Sequence, residues 1–88
     1  MFVHHEVADY SAWRKGYDAF QARARKMGVI AQAVYQGTDN SNDVIAYHDF
    51  ASLDKAKTFA ASAELKSAMK DSGVKGAPQV WFTTRAVK

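Results

Sequence analysis

The 88-residue sequence has no cysteine and a single proline. Without cysteine there are no disulfides, no thiolate metal sites and no cysteine nucleophile, and nothing hints at an oxidising compartment, so the cytoplasm is the default expectation. No run approaches the ~18 apolar residues that a membrane span needs, so no membrane partner is expected. The opening Met1 to Val7 is too short for the apolar region of a signal peptide and carries His4, His5 and Glu6. The common catalytic motifs are missing as well: GxGxxG, the P-loop, HExxH, GxSxG and CxxC do not occur, which sets nucleotide and zinc-hydrolase chemistry aside.

What is present reads as one globular domain spanning 1–88. The chain is 48% hydrophobic, too apolar for a disordered segment. Its length is near the lower limit at which a domain buries enough surface by itself, so self-association would supply core that a monomer lacks. The net charge of +3 raises the question of nucleic acid. The cations are dispersed, however, and Arg14, Lys15, Arg23, Arg25 and Lys26 interleave with the apolar stripe of one predicted helix, as a solvated helix face requires. No nucleic-acid partner is expected.

Residues 2–7 are rich in strand formers and place Val3, His5 and Val7 on one face, with Phe2, His4 and Glu6 on the other. Asp9 can cap a helix whose apolar positions Tyr10, Trp13, Tyr17, Phe20, Ala24 and Met27 recur every three or four residues, and Gly28 ends it. Strands follow at 29–36 and 44–50, separated by a polar turn. Ser52 can cap a second helix, whose stripe changes phase near Ser62 and so predicts a kink or break. Gly73 and Gly76-Ala77-Pro78 end the helical region, and 79–84 alternates as a last strand. The order βαββαβ predicts a ferredoxin-like α+β fold, a four-stranded antiparallel sheet of order 4-1-3-2 with the helices on one face. The other face carries Phe2, Ile45, Tyr47 and either Trp81 or Phe82. It is too apolar for a solvated surface, and a second copy packed sheet to sheet is the economical cover.

Histidines and aromatics are the remaining candidates for chemistry. His4 and His5 point to opposite sheet faces and cannot share a metal, and no carboxylate offers a third ligand, so no metal site is assigned. His5 and His48 each project from an apolar strand row, on strands predicted to be neighbours, so the two are expected to meet near the inner side of the first helix, close to Trp13 and Tyr17. Each is either a general base or proton relay in an aromatic-walled pocket or a core histidine with satisfied ring nitrogens. Trp13 and Tyr17 are either core stripe or ligand wall, and Tyr35 and Trp81 are carried with them as candidate ligand-binding residues. Asp9 reads as a cap rather than a catalytic acid.

The opening His5-Glu6-Val7-Ala8-Asp9-Tyr10-Ser11-Ala12-Trp13, as H-x-V-x-D-[YF]-x-x-W, and the closing Gly73-Val74-Lys75-Gly76-Ala77-Pro78, as G-V-x-G-x-P before an aromatic strand, resemble small dimeric α+β barrel proteins. The chain is similar over nearly its whole length to their antibiotic biosynthesis monooxygenase-like and cyclase-like members. The resemblance implies a homodimer with facing sheets and one pocket per subunit between sheet and helices, holding an aromatic or polyketide-like metabolite. In the cofactor-free monooxygenases of this kind the deprotonated substrate itself reacts with oxygen, so no cofactor is expected. Those enzymes use an Asn, a Trp and a basic residue. Trp13 and His5 match the latter two in kind, and the first strand has no Asn. A non-catalytic ligand-binding or accessory dimer is the alternative the resemblance leaves open.

Overall fold

The computed structural model describes residues 1–86. Its elements are β1 (Phe2–Val7), α1 (Tyr10–Lys26), β2 (Val29–Gln36), β3 (Asp43–Phe50), α2 (Leu53–Ala61), α3 (Ala63–Asp71) and β4 (Val74–Trp81). The strands form one antiparallel sheet of order β2-β3-β1-β4, the predicted ferredoxin-like arrangement read from the opposite edge.

Local signals set the helix boundaries. The Asp9 carboxylate accepts from the Ala12 N–H at 3.0 Å, which satisfies one of the free donors at the start of α1. At the other end Gly28 takes a φ of +109°, a conformation that costs little only without a Cβ. Ser62 makes the predicted break. Its extended backbone (φ −67°, ψ 142°) interrupts the helix, and its hydroxyl donates to the Phe59 carbonyl while accepting from the Leu65 N–H.

One strand departs from expectation. β4 begins at Val74 and ends at Trp81, so Gly76-Ala77-Pro78 lies within the strand and does not precede it. Two features make this possible. β4 is an edge strand, where the missing N–H of Pro78 need not be a ladder donor, and Gly76 at φ +67° absorbs an irregularity between the pairs Glu6↔Lys75 and His4↔Gln79.

The pleat sorts the sheet into two faces. Met1, Val3, His5 and Val7 of the β1 segment and Val44, Ala46 and His48 of β3 point toward the helices and are buried. Phe59 of α2, Ala24 of α1 and Leu65 of α3 close the core over them. The opposite face presents Phe2, Tyr47 and Trp81 in one row, His4, Ile45 and Gln79 in the next, and Glu6, Asp43 and Lys75 in the third. Tyr35 stands beside Ile45 on this face, 58% exposed, and Trp81 is 49% exposed.

Candidate functional site

A narrow cavity lies between the inner sheet face and the helices. Met1, β1 and β3 supply the sheet side, with Val3, His5, Ala46 and His48; α1 supplies Trp13, Tyr17, Phe20 and Gln21; Phe59 of α2 and Leu65, Ala68 and Met69 of α3 lie across from them. Its volume is about 40 Å³, room for a few waters. Gly16 and Ser72 meet at its rim: a Cβ on Gly16 would stand 2.8 Å from the Ser72 Cβ, so the missing side chain is what lets α1 and the end of α3 close together.

Along the cavity runs a connected series of rings. His5 meets Trp13 edge-on with centroids 5.5 Å apart, and Trp13 stacks on Tyr17 at 4.8 Å. The Tyr17 hydroxyl and His48 Nε2 lie 3.0 Å apart, and His48 in turn packs on Phe59. The helical spacing of four puts Trp13 and Tyr17 one above the other, and the strand period of two puts both histidines on the inner face. The two histidines do not meet as the strand order suggested: they share the cavity, but the register leaves the Val3↔Ala46 pair between them, and Trp13 and Tyr17 bridge the gap.

The electrostatics are those of neutral rings in apolar surroundings. Burial pushes the His5 imidazole down to about 4, with the positive charge of His4 acting in the same direction. Burial likewise takes His48 down to about 4, helped by the Met1 ammonium and His5. The Tyr17 hydroxyl is pushed up to about 12, chiefly by burial, while Arg14, whose guanidinium lies 5.6 Å from the ring centre, acts in the opposite direction. At neutral pH both histidines are thus uncharged, and Tyr17 keeps its proton. Neither His5 nitrogen has a hydrogen-bond partner, nor does His48 Nδ1.

Four of the six residues expected from sequence line the cavity: His5, His48, Trp13 and Tyr17. Tyr35 and Trp81 do not join them; the register places both on the outer face of the sheet. Gln21 was not expected. It is 8% exposed, its Nε2 donates to the Tyr17 carbonyl at 3.0 Å, and its Oε1 is buried without a partner. Its position four residues after Tyr17 and eight after Trp13 is the signal that could have found it, since both intervals keep one helix face. Among the described residues no group of three histidines, aspartates or glutamates is placed to hold a metal ion, and no helix is long and apolar enough to cross a membrane.

No family model matches the chain, and no curated protein sequence matches it significantly. Comparison with solved structures defines the class of fold: it is the α+β fold of the antibiotic biosynthesis monooxygenases. The particular neighbours include the crystal structure of an antibiotic biosynthesis monooxygenase, which superposes with a TM-score of 0.73 at 5% identity over 98% of this chain and 96% of the other. An antibiotic biosynthesis monooxygenase-type protein of Nitrosomonas europaea gives 0.67 at 10% identity, covering 89% and 80%. The ActVA-Orf6 monooxygenase of Streptomyces coelicolor, solved in complex with nanaomycin D, gives 0.65 at 21% identity, covering 99% and 87%.

Proposed function

We propose that the chain binds a small aromatic metabolite in the cavity between sheet and helices, which widens from its about 40 Å³ to admit it, and acts on it as a cofactor-independent monooxygenase or cyclase, with His5 as the base. The observation that carries this reading is His5 itself, a neutral imidazole 6% exposed, with two unpartnered nitrogens, set edge-on to Trp13 in an apolar cavity. A buried polar group with no partner is costly, and a site that binds ligand is one place where that cost is met. The ligand-bound monooxygenase of the same fold supports the choice of a small-molecule occupant.

In this reading the substrate is its own electron source. His5 takes a proton from an acidic carbon or phenol, and the resulting anion adds through carbon to molecular oxygen to give a hydroperoxide that loses water to leave a carbonyl. In ring closure the carbanion adds to a carbonyl of the same molecule and the new alkoxide takes the proton back. Tyr17 and His48, joined through the Tyr17 hydroxyl and His48 Nε2, form the far end of the aromatic wall. The chain works as a homodimer whose outer sheet faces meet, covering Phe2, Ile45, Tyr47 and Trp81.

Oxygen uptake and product formation with an anthrone-type substrate test the chemistry. His5→Asn should lower kcat by ~10²-fold or more while circular dichroism stays unchanged, as loss of a general base requires; equal turnover in the variant refutes His5 as base. Sedimentation velocity at micromolar concentration tests the assembly: a monomer in the wild type, or an undisturbed dimer in Trp81→Lys, removes the sheet-to-sheet contact. The low basicity that burial gives His5 and His48 favours a second reading, a binding or accessory protein that holds a small ligand unchanged. Saturable binding without product would select it.

A further inference from the structure

Among the described residues Gln21 is the one amide side chain that lines the cavity. Nε2 donates to the Tyr17 carbonyl, so the orientation of the amide is settled: the nitrogen faces the helix backbone and the oxygen faces away from it. That oxygen is buried, has no partner, and belongs to a residue more than nine-tenths buried that lines the cavity with His48 and Tyr17. An amide oxygen can only accept. The contact to the Tyr17 carbonyl is a weak reason to keep a glutamine here, because in a helix that carbonyl already receives the N–H four residues on. What the side chain adds is a fixed acceptor inside an apolar space.

The charge of the lining restricts the occupant further. Among the described residues no Lys, Arg, Asp or Glu lines the cavity. A ligand entering with a carboxylate or phosphate would leave water for a single cation, the Met1 ammonium, which is already held by the His48 carbonyl.

We propose that Gln21 is a specificity-determining residue of the pocket, selecting an uncharged aromatic ligand that presents a hydroxyl or N–H donor to its Oε1 one helix turn beyond Tyr17. This rests on the pocket reading above. It adds which polar group the ligand carries and which residue recognises it. A site with a buried, fixed acceptor discriminates against an analogue lacking the donor because the acceptor is then left unpaired.

Phenol and toluene have the same shape and differ by hydroxyl against methyl, and benzoate supplies the charged comparison. Binding of each to the intact protein is followed through the Trp13 indole resonance. The expected result is that Gln21→Leu lowers the ratio of phenol to toluene affinity by about tenfold, the worth of one hydrogen bond, with benzoate the weakest ligand throughout. Should Leu disturb the packing, the unbranched Gln21→Met makes the same comparison. An unchanged ratio in the folded variant overturns the role of Gln21 and leaves the pocket reading standing. Preferred binding of benzoate overturns the requirement for an uncharged ligand. Binding of none of the three removes both the pocket reading and this inference.

Discussion

His4 and His5 are consecutive residues of one strand, and the two faces of the sheet give them opposite chemistry. His5 points inward, its ring makes no hydrogen bond, and burial drives it toward its neutral form. His4 points outward, where its Nε2 lies 2.5 Å from the Asp43 carboxylate and its Nδ1 3.0 Å from the Gln79 side-chain oxygen; the bond to Asp43 raises its pKa first, and the bond to Gln79 second. Identical side chains one residue apart thus become an imidazole kept neutral and a proton holder. What separates them is solvent and partners, and both are assigned by the strand's period of two.

Acid should expose the difference most strongly. The sign follows from the depressed pKa of His5 and His48: between the unfolded value of 6.5 and the folded value of about 4, the unfolded chain binds protons that the fold refuses. Their contribution is therefore complete above pH 6.5 and is lost as pH falls toward 4, by roughly 3 kcal/mol for each histidine. Together that is comparable to the whole stability of a small domain, about 5–15 kcal/mol. Urea unfolding at pH 7, 5.5 and 4.5 should show a steep decline that the double variant His5→Leu, His48→Leu flattens. A level profile in the wild type would mean that the inner histidines are wet, and the contrast between the faces would disappear.

The next largest effect tests whether the inner face is a packed surface. Phe59 is 1% exposed and touches the rings of Phe20, His48 and Phe50. Phe59→Ala should cost about 3–5 kcal/mol in a denaturant titration. A loss below 1 kcal/mol would show that α2 does not seal the core. Smaller again is Tyr17→Phe, which leaves His48 Nε2 buried without its hydroxyl partner at a cost of about 1–3 kcal/mol. The readout is the stability difference at pH 7 together with the His48 ring resonances. No change in either would mean that the hydroxyl makes no bond to His48.

How much of this was legible follows from which patterns are local. The caps at Asp9, Ser52 and Ser62, the end of α1 at Gly28 and the inward facing of His5, His48, Trp13 and Tyr17 all come from periods of two or three to four and from short-range hydrogen bonds. The faces of Tyr35 and Trp81 depend on cross-strand register, and in β4 an irregularity around Gly76 resets it, so alternation read along the strand does not say which residues look inward. Gln21 escaped because a polar residue inside an apolar stripe reads as solvent-facing until the helix is laid on its sheet. The chemistry was the least legible part, since it depends on which buried nitrogens and oxygens lack partners, a property of the assembled cavity.

The smallest effect lies on the outer face and has the opposite sign. His4 is raised above its unfolded value of 6.5, so its contribution is complete below pH 6.5 and is lost as pH rises through the folded value. His4 and Asp43 keep about a third or more of their side-chain surface in water, which screens the pair and limits it to roughly 1 kcal/mol or less. His4→Gln should therefore weaken the fold slightly at pH 6 and not at pH 9, where the acid profile set by His5 has already levelled off. Protein concentration sharpens the test. If a second copy covers the outer face, as proposed, the pair is drier and better shielded from salt in the assembly, and the His4→Gln penalty grows as the protein is concentrated. A penalty independent of concentration would leave the outer face in solvent, and the contrast between the two histidines would then belong to each chain alone.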